Sequence, residues 1–92
     1  MKNSYKIIYK KQAKKFLEKN PKYGIRFIKN FIELSGNFKD NYNHFDIETY
    51  KGVQNAFRMR IGGYRAIFIV DNSEIKVIEV INIGSRGDIY NK

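Results

Sequence analysis

The stretch that most constrains this chain is AFRMRIGGYRAIFIV, residues 56–70. Gly62-Gly63 interrupts two apolar-rich, arginine-bearing runs, and a two-glycine loop closes a tight hairpin because both positions can take positive φ at no steric cost. A two-residue loop fixes the register, so the cross-strand pairs follow by counting. Ile61 lies opposite Tyr64, Arg60 opposite Arg65, Met59 opposite Ala66, Arg58 opposite Ile67 and Phe57 opposite Phe68. Side chains alternate across a strand. One face therefore carries Phe57, Met59, Ile61, Tyr64, Ala66, Phe68 and Val70, a core face. The other carries Arg58, Arg60 and Arg65 with Ile67 and Ile69.

The second face places Arg60 directly across from Arg65, and like charges in that position destabilise a sheet. The cost is on the order of the 0.2–1 kcal/mol that favourable pairs contribute. Folding does not need three arginines there. Either the face is solvated, with long side chains splayed into water and paired with acids elsewhere, or three permanent cations converge on a phosphate backbone. The hairpin alone leaves both readings open.

The rest of the chain supplies the frame. Its 92 residues are expected to form a single domain, 1–92, with one modest core. Residues 4–9 (SYKIIY) predict a short strand rich in aromatic and β-branched residues. Residues 10–19 predict a helix, with Ala13, Phe16 and Leu17 on one face and lysines on the rest. Asn20-Pro21 ends it and starts a second helix, with Asn20 as N-cap and Pro21 at the first helical position. This second helix runs to about Ser35, with Ile28, Phe31, Ile32 and Ser35 as its inner stripe, widened by Ile25, Phe27 and Leu34, and with Gly36 as C-terminal cap. The two helices are expected to pair antiparallel. Residues 37–55 read as a loop anchored by aromatic residues, with a short strand near 45–49 and a solvated His44. After the hairpin, the turn DNSE leads into a strand at 75–83, apolar on both faces and so central or covered. Glu79 on that strand is a candidate counter-charge for the arginines. The order β-α-α-β-β-β predicts an α+β fold, two helices on one face of a mainly antiparallel sheet.

Composition narrows the function classes. With no cysteine and a lone histidine, neither a disulfide nor a thiolate metal site is available, and a protein metal site is not expected. No cofactor is expected either. Neither a signal peptide nor a membrane span is legible, so a cytoplasmic protein with no membrane partner is the expectation. The net charge of +9 implies a polyanionic partner. High aromatic content excludes a disordered basic tail.

The second half, FRMRIGGYRAIFIVDNSEIKVIEVINIGSRGDIY, resembles the RelE/ParE superfamily of toxins from type II toxin–antitoxin modules. The shared parts are the arginine-bearing strand at 57–61, Gly63-Tyr64-Arg65 in the hairpin, and Ile83-Gly84-Ser85-Arg86 followed by Tyr90. In outline the first half agrees, with a short strand, an Ala-x-x-x-Leu helix (Ala13, Leu17) and a second helix. RelE-like members are ribosome-dependent endoribonucleases that cut mRNA. ParE-like members share the fold, lack the catalytic set and poison DNA gyrase. The resemblance to RelE implies a catalytic set of Arg65, Arg86 and Tyr90, with Arg58 and Arg60 contacting RNA, and Lys51 is a further candidate RNA contact. It implies as partners the ribosome, mRNA and a cognate acidic antitoxin forming a toxin–antitoxin hetero-oligomer. One departure is Ser85, which stands where many relatives have histidine, and the interval from Arg86 to Tyr90 is shorter than in the best-known members.

That resemblance implies cleavage without a metal. A base removes the 2′-OH proton, the oxygen attacks the adjacent phosphate, and an acid protonates the leaving 5′-oxygen, giving a 2′,3′-cyclic phosphate. Arginine is never the base because it does not deprotonate. Its role is to stabilise charge growing on the phosphate. A tyrosine among guanidiniums is a candidate base, since cations favour phenolate. The competing expectations are a ParE-like gyrase poison and a non-catalytic basic nucleic-acid-binding module.

Overall fold

A computed structural model describes residues 4–85. The element order is β1 (Lys6–Tyr9), α1 (Lys11–Lys19), α2 (Pro21–Gly36), α3 (Phe38–Asn41), a 3₁₀ turn (Tyr42–His44), β2 (Ile47–Thr49), β3 (Ala56–Ile61), β4 (Tyr64–Asp71) and β5 (Val77–Ser85). Three helices pack on a five-stranded sheet of order β1-β5-β4-β3-β2, antiparallel except for the β1–β5 pair. The α+β expectation holds. β5, expected to be central or covered, is an interior strand between β1 and β4.

The hairpin forms as counted. Ile61 pairs with Tyr64, Arg60 with Arg65, Met59 with Ala66, Arg58 with Ile67 and Phe57 with Phe68. Only the first loop glycine uses its freedom, since Gly62 has φ +60 whereas Gly63 is not among the positive-φ residues. A Cβ at Gly62 would lie 3.0 Å from Cε1 of Tyr23, so that position also lets a helix side chain close over the turn. All seven residues of the expected core face belong to the core or pack against it.

Phe27, Phe31 and Leu34 of α2 meet Met59, Phe68, Ile78 and Val80 of the sheet in that core. Phe31 contacts Phe68 edge to face, with centroids 5.1 Å apart. The inner stripe of α2 differs from the expected one. Gly24, Phe27, Phe31, Leu34 and Ser35 are buried, whereas Ile25 and Ile32 face solvent at 59% and 57% exposure. Gly24 explains the rotation. A Cβ there would sit 3.2 Å from the carbonyl oxygen of Leu17, so the glycine is the point where α1 and α2 approach closely.

Asn20 is the N-cap of α2, as expected, with its carbonyl accepting from Gly24 N–H, but its side chain turns back and donates to the carbonyl of Phe16 at 3.2 Å. The C-terminal cap differs. Gly36 is the last residue of α2 without a left-handed φ, and Asn37 follows it as the cap. There Asn37 starts α3, accepting from the backbone N–H of Asp40. Residues 37–55 are therefore not a loop throughout. Phe38 packs against Tyr5, Tyr42 and Phe57, and these ring contacts order the short α3 and the 3₁₀ turn. The short strand expected near 45–49 is β2, which pairs with β3 as the sheet's edge.

Candidate phosphate-binding face

Strand parity puts Arg58, Arg60 and Arg65 on the sheet face opposite the helical core, since their neighbours Phe57, Met59, Ile61, Tyr64 and Ala66 point into that core. The three side chains share one face, with Arg60 directly opposite Arg65.

Two of the three are matched by acids on β2 and the residue before it. Glu48 is the cross-strand partner of Arg58, and its carboxylate accepts from that guanidinium. Asp46 accepts from Nε of Arg60 at 2.8 Å, and its backbone carbonyl accepts from the Arg60 N–H at 2.9 Å. Both pairs are substantially exposed, with Arg60 and Asp46 side chains each at 46%, so each contributes on the order of 0.2–1 kcal/mol. They relieve the repulsion that the hairpin register creates. Arg65 is half-buried and makes no ion pair among the described residues. Glu79 does not serve the arginines. It is paired with Lys10, 3.4 Å away, and lies opposite Ile69 in the sheet.

Arg65 sits opposite Gly84, and Tyr64 opposite Ser85, the last described residue of β5. Arg86 and Tyr90 of the expected catalytic set lie outside the described residues. Lys51 and Arg58 line one open cleft of about 670 Å³ beside β2, together with Tyr42, Tyr50 and Glu48. His44 is exposed, as expected of a solvated residue. Among the described residues there is no cluster of three or more His, Asp or Glu able to hold a metal. None of the described helices is long and apolar enough to cross a membrane.

The acids at 46 and 48 are counter-charges of the arginines that the sequence alone does not assign. Their signal is the alternation Asp46-x-Glu48 in a run whose pairing to β3 no fixed-length turn specifies. Chemically, the face offers Arg65, without a carboxylate partner among the described residues, beside two β3 guanidiniums that carboxylates hold in place. Held guanidiniums are preorganised donors for an oxyanion, and a planar fork suits phosphate.

The comparisons with known proteins bear on the fold and the family. The sequence model described as the ParE toxin of the type II toxin-antitoxin system, parDE, matches residues 7–90. No curated protein matches the sequence. Among solved structures, the chain is similar to the archaeal RelE–RelB complex from Pyrococcus horikoshii OT3, at 30% identity and TM-score 0.72, covering 91% of this chain and 97% of that one. It is similar to the RelB–RelE antitoxin–toxin complex from Methanococcus jannaschii, at 28% identity and TM-score 0.68, covering 90% and 94%. A free mutant of the E. coli toxin RelE shares the fold, at 18% identity and TM-score 0.71, covering 95% and 87%. The chain belongs to the ParE toxin family of type II toxin–antitoxin systems, within the RelE/ParE superfamily.

Proposed function

We propose that this toxin is a metal-free endoribonuclease that cuts mRNA on the ribosome and so stops translation. The observation that carries the reading is Arg65. It stands on the face away from the helical core, opposite an arginine whose charge Asp46 already balances, without a carboxylate partner among the described residues. A guanidinium kept out of ion pairs beside two tethered ones suits a phosphate that gains charge in a transition state.

In this reading Arg65 and Arg86 stabilise the pentavalent phosphate, while Arg58, Arg60 and Lys51 hold the flanking RNA. The attacking nucleophile is the substrate's own 2′-OH, so DNA is not cut. Tyr90 is the base in this reading, the role that the resemblance to RelE implies for it. The partner that silences the toxin is an acidic antitoxin folding onto it, as the RelB chains of the archaeal complexes accompany their RelE chains.

The second reading is a gyrase poison, favoured by the ParE description of the matching family. Induction without antitoxin separates the two. Rapid arrest of translation with normal DNA supercoiling is expected of the nuclease. Early loss of supercoiling with mRNA intact would establish the gyrase target instead.

A further inference from the structure

The cleft at the β2 edge holds a combination that the arginine face does not explain. Two tyrosines, Tyr42 and Tyr50, line it with two cations, Lys51 and Arg58, and one carboxylate, Glu48. Arg58 belongs to both the cleft and the arginine face. β2 and β4 are separated by β3, so at a strand spacing of about 4.8 Å the cleft begins roughly 10 Å from Arg65. A short single-stranded segment spans that distance.

Such a lining suits a nucleobase. Aromatic rings stack on bases whatever the sequence. Lysine and arginine hold the attached phosphate. A carboxylate accepts from the amino groups of cytosine, adenine or guanine but faces the carbonyl oxygens of uracil unfavourably. The Glu48 side chain stays 59% exposed while paired with Arg58, so its carboxylate remains within reach of a base. Tyr42 is braced from behind by Phe38 and Phe57, with centroids 5.5 and 5.8 Å away, which fixes its ring as part of the wall.

We infer that this cleft is a nucleobase subsite that takes an unpaired, amino-bearing base near the phosphate held at Arg65, with Glu48 as the selecting group. The inference rests on the reading of the toxin as RNA-directed, and it adds the source of base preference.

The test is binding of the intact toxin to four 2′-O-methyl hexanucleotides, which lack the attacking hydroxyl. One is all uridine, and the others carry a single guanosine, cytidine or adenosine at a central position. The wild-type protein should bind the amino-bearing hexamers roughly five-fold or more tighter than the all-uridine one. Glu48→Gln presents a donor as well as an acceptor and should collapse that difference. Tyr50→Ala should weaken all four by roughly 10- to 100-fold, the size of base–aromatic stacking. Equal binding of the four hexamers by the wild-type protein, or binding of none, overturns the proposal without needing any variant to fold. If that flat series accompanies loss of antitoxin binding in Tyr50→Ala, the cleft belongs to the protein partner. The series involves neither ribosome nor cleavage. Failure to cut mRNA would therefore overturn the nuclease reading alone, and a flat series would overturn the subsite alone.

Discussion

Arg60 faces Arg65 across the β3–β4 hairpin, and among the described residues only Arg60 has a carboxylate, that of Asp46, 2.8 Å away. The pair is thus electrostatically unequal. One guanidinium is tethered, and its opposite number is left for an anion.

Asp46→Asn should therefore have two effects of different size. Exposed pairs are weak, so unfolding free energy should fall by less than about 1 kcal/mol, with the difference shrinking in high salt. Release of Arg60 should strengthen single-stranded RNA binding and steepen its salt dependence by about 0.7 in the slope of log K against log salt. Denaturant titrations and fluorescence anisotropy at several salt concentrations measure both. An unchanged slope would mean that Arg60 does not reach RNA.

Tyr9 supplies a pH prediction. Its hydroxyl is buried without a hydrogen-bond partner among the described residues, and burial pushes its pKa from 10.0 up to about 12. Between those values the unfolded chain has lost the proton while the folded chain keeps it. Folded protein then binds more protons, so stability falls as pH rises. The contribution is fully present below pH 10 and lost through pH 12. Tyr9→Phe should flatten that part of the stability curve. At neutral pH it should be neutral or stabilising by up to about 1 kcal/mol, because the orphaned hydroxyl is removed. A clear loss of stability at pH 7 would show that the hydroxyl has a partner.

The two loop glycines should behave differently. Gly62→Ala forces a side chain into the left-handed region, at about 1–2 kcal/mol, and drives its Cβ against the Tyr23 ring. Gly63→Ala meets nothing within 4 Å and needs no positive φ, so its cost should stay within about 0.5 kcal/mol. Thermal unfolding of both variants checks the contrast. Equal costs would contradict the turn geometry.

The hairpin was legible because a two-glycine loop leaves one register and parity then assigns every side chain. The α2 stripe was not. Ile25, Phe27, Ile28, Phe31, Ile32 and Leu34 surround much of the helix, so periodicity alone does not choose a face, and the close approach at Gly24 does. Likewise, α3 is a four-residue helix ordered by rings distant in sequence, Tyr5 and Phe57 among them. Three arginines were legible as a group, but their counter-charges were not. Pairing of β2 with β3 runs through the irregular connection 50–55, whose length fixes no register, so nothing in the sequence places Asp46 and Glu48 beside the arginines ahead of Glu79. The roles of Arg86 and Tyr90 rest on sequence resemblance. Tyr90→Phe tests the second of them, because a base should lose on the order of 10²–10⁴-fold in rate with an unchanged melting temperature.

Single-turnover cleavage of ribosome-bound mRNA by wild type, Arg65→Ala and the helix-surface control Lys14→Ala tests the role of Arg65 most directly. Wild type and Lys14→Ala should cut at similar rates, and Arg65→Ala should be slower by roughly 10²–10³-fold, the usual cost of removing one preorganised charge donor. Cleavage by Arg65→Ala at the wild-type rate, or intact mRNA with the wild-type toxin, would contradict it.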